Sequence, residues 1–345
     1  MRRSIRLKAT MMALVIQSAS VAAAAAADDV AQFYRGRTVY IITSTGVGGP
    51  YDRSARALSH HMPRYIPGNP TMVVQNMPGG GHVLATNHLY NIAARDGSVI
   101  GTVNGTIPVH QVVDGTGVRF DVAKFNWLGS VSSTNLLTIV TARSGIKSFE
   151  DLRNRETIAG ATGIGSMAAL YPIIMNNMLK TKFRIVPGYK SASEIDLAME
   201  SGEVESRSGT TYESIVAERP QWLRDNTIRP IVQVGRMRKK ELPDVPLLHE
   251  LVSTPQEKAI LRLLSASVVV GRPFLAPPAV PPERVAALRQ AFDATMKDQA
   301  FIEECAKTGV DLDPVDGTAL EAAIRDIVNQ PRELVELAKK AIQVN

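Results

Sequence analysis

The 345-residue sequence predicts an α/β fold built from two similar halves. Strand-like and helix-like segments alternate along the chain, and the alternation starts again after a connector at residues 126–141. Such alternation is typical of a mostly parallel sheet covered by helices. The length fits roughly two domains. A content of 45% hydrophobic and 21% charged residues supports a buried core.

The first 27 residues have the pattern of a secretory signal peptide. Four basic residues come first, the apolar segment Met11–Ile16 follows, and Ala22–Ala27 supplies small residues for cleavage. An uncleaved membrane anchor is the alternative, but the apolar segment is too short to span a bilayer comfortably. We therefore expect a protein exported to the periplasm by a signal peptide at residues 1–27.

The charge balance argues against a nucleic-acid partner. The formal net charge is +6, but Arg2, Arg3, Arg6 and Lys8 lie in the predicted signal peptide, so the rest of the chain carries about +2. The single cysteine, Cys305, cannot form an intrachain disulfide.

Each half is predicted from hydrophobic periodicity. In the first half, strands at Thr38–Thr43, Thr71–Gln75 and Ser98–Val103 alternate with helices at Asp52–Tyr65 and His82–Ala94. In the second half, strands at Thr157–Ala161, Phe183–Val186 and Pro230–Val234 alternate with helices at Ser166–Leu179 and Ser191–Ser201.

The C-terminal region is predicted to add helices to one of the halves. Five prolines between residues 273 and 282 predict a connection over the surface, because proline cannot continue a sheet ladder. Helical segments at Glu283–Lys297 and Ala319–Ile342 follow.

Two glycine-rich turns occupy equivalent places in the two halves, Ser44–Asp52 and Ala161–Ser166. Glycine lets a backbone approach a ligand closely, and the helix that follows offers unpaired N–H groups and a positive dipole end. We expect an anion site here, with a pair of ordinary tight turns as the alternative. A third glycine-rich stretch, Pro78–His82, is either a further wall of this site or a flexible turn.

Motifs of catalysis, nucleotide binding and metal binding are missing. Neither glycine turn matches G-x-G-x-x-G or a phosphate loop, and no G-x-S-x-G or H-E-x-x-H occurs. Asp52 is either a helix cap or an acceptor for a ligand, and Ser166 is a helix cap rather than a nucleophile. We predict no catalytic residue, no metal and no cofactor.

Seven short motifs keep a common order over nearly the whole chain: Gly48–Arg56, Asn76–Gly81, Arg95–Gly97, Gly163–Ser166, Val186–Lys190, Gly202–Glu205 and Leu242–Pro246. Together they resemble the extracytoplasmic solute-binding proteins of tripartite tricarboxylate transporters, also called Bordetella uptake gene proteins. The resemblance implies a two-lobed periplasmic binding protein of type II, the Venus flytrap fold, with a mostly parallel sheet flanked by helices in each lobe. Lobe 1 would comprise residues 28–131 and 246–345, lobe 2 residues 132–245, and the ligand cleft would lie between them.

The resemblance also implies a ligand and its contacts. A small organic acid would be held largely by backbone amides and delivered to the membrane subunits of a tripartite tricarboxylate transporter by a monomeric protein. The implied ligand-binding residues are Thr45, Gly46, Gly48, Gly49 and Asp52 on lobe 1 and Gly165 and Ser166 on lobe 2, with Asn104, Thr106, Tyr189 and Lys190 as weaker candidates.

The chain departs from the family pattern within the loops. Thr45-Gly46-Val47 stands where proline often precedes the glycines, Pro50 removes an amide donor, and Ala169 stands where the family often carries histidine. Two other functions stay open: a ligand sensor for a signalling receptor, and an α/β enzyme that uses the same cleft.

Overall fold

A computed structural model describes residues 29–133, 135–163, 166–189, 192–235 and 237–343, so the predicted signal peptide lies outside the described residues. The strands are β1 Thr38–Thr43, β2 Thr71–Asn76, β3 Val99–Thr102, β4 Asn126–Ser130, β5 Leu136–Thr141, β6 Thr157–Ala161, β7 Phe183–Pro187, β8 Ser206–Thr210, β9 Ile228–Val234, β10 Pro273–Ala276 and β11 Val315–Asp316.

The α-helices after residue 37 are α1 Pro50–His61, α2 Val83–Asn91, α3 Ile107–Val113, α4 Phe149–Asn154, α5 Met167–Leu179, α6 Ala192–Ser201, α7 Tyr212–Glu218, α8 Pro220–Arg224, α9 Pro255–Leu264, α10 Ala266–Val270, α11 Pro282–Thr295, α12 Gln299–Thr308, α13 Gly317–Val328 and α14 Arg332–Ala341. Short 3-10 helices lie at Met62–Tyr65, Gly80–His82, Val122–Lys124, Ala142–Ser144 and Leu248–Glu250.

The first sheet has the strand order β11-β4-β10-β3-β1-β2. β1 pairs in parallel with β2 and β3, whereas β10 is antiparallel to β3 and β4, and β11 is antiparallel to β4. β1, β2, β3 and β4 therefore run in one direction. Thr43 pairs with Asn76 on one side and with Thr102 on the other, so the carboxyl ends of β1, β2 and β3 are level.

The second sheet, ordered β7-β6-β8-β5-β9, follows the same plan. β6 is parallel to β7 and β8, and β5 is antiparallel to β8 and β9. In each sheet an antiparallel strand, β10 in the first and β5 in the second, is thus inserted among strands that share a direction, and β11 runs in the direction of β10 at the edge of the first sheet. Both sheets are mixed in their pairing.

Two predictions about the chain between the helices are wrong. The connector at residues 126–141 contains β4 and β5, and the proline-rich stretch begins with β10 inside the first sheet. Pro273 is the first residue of β10, a position at which proline is tolerated, and Phe274 and Leu275 are fully buried. β8 was not predicted, because its sequence SRSGT has no apolar pattern.

Helices cover both faces of the first sheet. Ile41 packs in the hydrophobic cluster that contains residues of α1, α11 and α12, whereas its neighbour Ile42 belongs to the cluster that contains residues of α2, α3 and α13. This second cluster also includes Val140 and Val232 of the second sheet. Apolar packing therefore joins the two halves.

The chain crosses between the sheets at residues 131–135 and again before β10, and the two crossings are hydrogen-bonded to each other. Val131 N–H donates to Arg272 O at 3.2 Å, and Arg272 N–H donates to Ser132 O at 3.1 Å. Gly271, directly before Arg272, has φ +63° and ψ −123°, a backbone conformation that glycine adopts readily and residues with a side chain rarely adopt. A Cβ on Gly271 would stand 1.6 Å from Ser132 O.

We expect Gly271→Ala to destabilise the protein far more than Gly309→Ala. Gly309 ends α12 at φ +68° with open space around its missing Cβ, so alanine there costs only the left-handed backbone, about 1–2 kcal/mol. Gly271→Ala adds a backbone clash, and we expect a total loss of at least about 3 kcal/mol in the free energy of unfolding. Urea unfolding of both variants measures the difference, and equal losses would contradict this account of the crossing.

Candidate functional site

The loops that follow β1, β2 and β3 lie at one edge of the first sheet, because these strands are parallel and end level. The loop after β1 is Ser44–Gly49, the loop after β2 contains Pro78–His82, and the loop after β3 contains Asn104 and Thr106. In open α/β sheets this is the edge at which ligands bind. Topology therefore gathers at one edge three segments that lie far apart in sequence.

The corresponding edge of the second sheet lies nearby. β4 ends at Ser130 on the edge just described, and β5 starts at Leu136 on the edge where β6 and β8 end. The connector between these residues can span at most about 20 Å. Described residues of the connector and of the second edge bond to the segment before β11: Ser133 Oγ donates to Asp313 Oδ2 at 2.6 Å, and Thr211 Oγ1 donates to Asp311 Oδ2 at 3.4 Å.

Asp52 organises the glycine loop after β1. Its Oδ1 accepts hydrogen bonds from Arg56 Nη2 at 2.9 Å and Asn76 Nδ2 at 2.8 Å, and its Oδ2 accepts from Gly48 N–H at 2.8 Å and Arg56 Nε at 3.0 Å. A carboxylate has about four lone-pair sites, and these bonds fill them. The Asp52 carboxylate and the Gly48 N–H therefore have their hydrogen bonds satisfied within the protein, and their geometry supports a role in shaping the loop.

The ionisation of Asp52 follows from these bonds. Burial by itself raises the pKa of Asp52, but the hydrogen bonds from Arg56, Gly48 and Asn76 outweigh it and hold the pKa below its ordinary value. The helix α1 starts at Pro50 with Gly49 as its N-cap residue, so Asp52 lies in the first turn and is not the cap.

At three positions, neither the backbone conformation nor a close contact among the described residues requires glycine. Gly46, Gly49 and Gly163 avoid the positive-φ region, and a Cβ on Gly46 or Gly163 would meet no atom within 4 Å. A Cβ on Gly49 would meet only Gly46 O, at 3.9 Å. The fold therefore leaves room at these positions for a ligand to approach the backbone closely. All three belong to the two predicted ligand loops.

The helices after these loops begin without a side-chain cap. α1 starts after Gly49, and α5 starts after Ser166, whose hydroxyl donates to Gly163 O at 2.6 Å and accepts no bond from the helix. Ser166 is thus the N-cap residue of α5, as predicted, and its hydroxyl closes the preceding turn instead of accepting a helix N–H. Within the described part of the chain, neither helix start therefore has a side-chain acceptor for its first N–H groups, and such groups can bind a carboxylate.

The third glycine-rich stretch lies against the first loop. His82 Nδ1 is 3.2 Å from Ser44 Oγ and 3.1 Å from Ser44 O. Burial lowers the pKa of His82, although the bond to Ser44 O opposes the shift. The sequence left open whether this stretch is a further wall of the site or a flexible turn, and the contact with Ser44 supports the wall.

The other candidates fall into two groups. Thr45 and the pair Asn104 and Thr106 lie at the edge of the first sheet: the Thr45 hydroxyl bonds Thr43 Oγ1 at 3.1 Å, and Asn104 Oδ1 accepts from the Thr106 N–H and hydroxyl at 3.0 and 2.8 Å. The Tyr189 hydroxyl donates to Glu203 Oε1 at 2.7 Å, and burial together with Glu203 raises the pKa of Tyr189 to about 12. Gly165 and Lys190 lie outside the described residues.

Sequence reasoning missed Tyr51. Its hydroxyl accepts from Gly105 N–H at 3.1 Å and donates to Gly271 O at 3.1 Å, which ties the start of α1 to the loop after β3 and to the crossing between the sheets. The two partners are 54 and 220 residues away in sequence. No local pattern signals such a contact.

No group of three or more His, Cys, Asp and Glu residues among the described residues is placed to hold a metal ion. Among the helices described, none has both the length and the hydropathy needed for a membrane span.

Two mixed sheets flanked by helices, each with a glycine loop after a parallel strand, have the two-lobed architecture of periplasmic binding proteins. A family model, the tripartite tricarboxylate transporter family receptor TctC, matches residues 55–339. The chain belongs to this family, which confirms the resemblance noted in the sequence. No protein of curated function matches the chain.

Solved structures share the fold. A TctC solute-binding protein from Polaromonas without ligand superposes with a TM-score of 0.67 at 17% identity, over 88% of this chain and 98% of that one. MatC from Rhodopseudomonas palustris with bound malate gives 0.62 at 18% identity, over 89% and 99%. A further R. palustris protein with adipate gives 0.64 at 17% identity, over 88% and 97%. The predicted two-lobed fold class is confirmed.

We expect Asp52→Asn to weaken folding in a pH-dependent way. At pH 7 the amide cannot accept all four bonds, so the free energy of unfolding should fall by about 1–3 kcal/mol. Because the pKa of Asp52 is lowered by folding, its contribution is present above the unfolded pKa of about 3.9 and is lost as the pH falls through the folded pKa.

The stability difference between wild type and Asp52→Asn should therefore shrink below about pH 4, as measured by urea unfolding from pH 7 to pH 3. Asp225→Asn is the matched control. Asp225 also pairs with an arginine, Arg224, but both side chains are exposed, so little change is expected. A pH-independent loss in Asp52→Asn would contradict the role assigned to this carboxylate.

Gly49→Val should leave the fold intact and reduce binding of an organic acid at least about ten-fold, because a branched side chain blocks close approach to the loop. Gly49 has φ −75° and ψ 168°, which valine adopts easily. Gly163→Val makes the same test on the second loop. Thermal unfolding and calorimetric titration separate the two effects, and unchanged affinity would remove that loop from the site.

Proposed function

We propose that this protein binds a small organic carboxylate between the facing edges of its two sheets and releases it chemically unchanged. The observation that carries the proposal is that Gly46, Gly49 and Gly163 keep open space that the fold does not use. They lie next to two uncapped helix starts, at Pro50 and Met167, one in each half. The malate and adipate bound by two structures of the same fold support the class of ligand.

The energies favour a site built from both halves. A micromolar dissociation constant corresponds to about −8 kcal/mol. One helix N-terminus contributes about 0.3–1 kcal/mol and at most about 2 kcal/mol, whereas each hydrogen bond to a charged carboxylate contributes about 1.5–3 kcal/mol. Three or four such bonds are needed after the cost of association, and both loops must supply them. Ligand binding then favours a closed arrangement of the halves.

The biological role follows from family membership and the sequence. We propose that the signal peptide at residues 1–27 directs the chain to the periplasm, where it acts as a monomer and passes its ligand to the membrane subunits of a tripartite tricarboxylate transporter. We also propose lobe boundaries at 131/132 and 245/246. The strands support this division, since β1–β4, β10 and β11 form one sheet and β5–β9 form the other.

Titration of the purified protein with organic acids tests the function. Malate, succinate, adipate and citrate form the panel, and the diamide of adipic acid is the control because it keeps the chain length and lacks the charge. At least one acid should stabilise the protein, by about 2.7 kcal/mol at a concentration 100 times its dissociation constant, and the diamide should not. NMR of the recovered acid should show it unaltered. Absence of binding across the panel, or turnover of the acid, would overturn the proposal.

A further inference from the structure

The segment that returns from the second sheet to the first receives contacts from both halves. We call residues 266–272 the pivot segment; it consists of α10, Gly271 and Arg272. Val268 and Val270 are buried in the hydrophobic cluster that joins the halves. Gly271 N–H donates to Ser267 O at 2.9 Å, and Arg272 N–H donates to Ser132 O in the other crossing. The pivot segment is thus a compact unit between the two edges.

One tyrosine reaches the pivot segment from α1, the helix that follows the glycine loop of the first half. Tyr51 is the second residue of α1, directly after the glycine loop, and its only proton is donated to Gly271 O at 3.1 Å. The Tyr51 hydroxyl oxygen itself accepts a hydrogen bond from Gly105 N–H in the loop after β3. Gly105 itself packs tightly, since a Cβ there would stand 2.6 Å from Gly271 O and 2.7 Å from Ser267 O.

A second tyrosine reaches the pivot segment from the second half of the chain. Tyr171 lies in α5, the helix that follows Gly163 and Ser166, and its hydroxyl is 3.4 Å from Ser267 Oγ. Tyr171 and Ser267 are both buried. Burial raises the pKa of Tyr171 to about 12, although the hydrogen bond with Ser267 opposes the shift, so the hydroxyl stays protonated at neutral pH.

We propose that Tyr51 and Tyr171 are positioning residues that couple the two ligand-binding helices through the pivot segment, so that closure on the ligand depends on two hydroxyls that do not bind it. The inference rests on the proposed function for its link to ligand affinity. Each helix start would be held in register with the crossing on which the halves turn. A shift of α1 or of α5 toward a bound carboxylate would therefore move the pivot segment, residues 266–272.

Three hydroxyl deletions test the coupling. Tyr51→Phe and Tyr171→Phe remove one hydroxyl each and keep the ring. Tyr34→Phe is the matched control, because the buried Tyr34 hydroxyl also donates to a glycine carbonyl, Gly97 O at 3.2 Å, but away from the pivot segment. All three should lose some thermal stability. Only Tyr51→Phe and Tyr171→Phe should raise the dissociation constants for malate and adipate, by about five-fold or more, the equivalent of about 1 kcal/mol.

Two further readouts separate coupling from simple destabilisation. Small-angle scattering should show a smaller ligand-induced decrease in the radius of gyration in Tyr51→Phe and Tyr171→Phe than in wild type or Tyr34→Phe. In the double variant the dissociation constant should rise by less than the product of the single effects, because both hydroxyls act on one segment. Full multiplication of the two effects would overturn the coupling.

Hydrogen exchange tests the proposal without ligand. Amides of residues 266–272 should exchange faster in Tyr51→Phe and in Tyr171→Phe than in Tyr34→Phe. If wild type binds no acid of the panel of malate, succinate, adipate and citrate, the proposed function fails, whereas the exchange result still decides whether the tyrosines hold the pivot segment. If wild type binds an acid and both variants keep its affinity within two-fold, the inference is overturned and the proposed function stands.

Discussion

The carboxylate of Asp52 is the group on which the shape of the candidate site depends. A buried charge is costly unless hydrogen bonds fully compensate it, and here four donors from three segments do so. Gly48 belongs to the loop, Arg56 to α1 and Asn76 to the end of β2. Satisfying one carboxylate therefore fixes a loop, a helix and a strand end relative to one another.

The second half of the site is provided by topology. β10 and β5 are inserted antiparallel strands, and each follows directly from a crossing between the sheets. This arrangement brings the carboxyl edges of the parallel strands in both sheets to the same region. Under the proposed function, a helix start that would bind a carboxylate weakly by itself acts together with a second one. Affinity in such a design depends on the two edges meeting one ligand.

The interface between the halves is not uniform. On one side, α14 and α5 are joined by Asn177, which donates to Ala341 O at 3.0 Å, within a shared hydrophobic cluster. At the facing edges, the contacts made by Ser133 and Thr211 with Asp313 and Asp311 are polar. Polar contacts exchange readily with water, whereas apolar packing resists separation. This difference favours opening at the ligand edge with the packed side as the fixed side.

The sequence alone determined the α/β class, the repeat of one plan in two halves, the family and the two glycine loops, because periodicity and glycine content are local properties. Tertiary structure decided the rest. β8 is a polar strand held inside a sheet by its neighbours, and Pro273 is accepted in β10 because a strand's first position tolerates proline. The use of Asp52 as an internal acceptor and of Tyr51 as a tie depends on partners 24 and 220 residues away. Hydrogen bonds at such separations form only once the sheets have placed their ends together, so no window of sequence contains them.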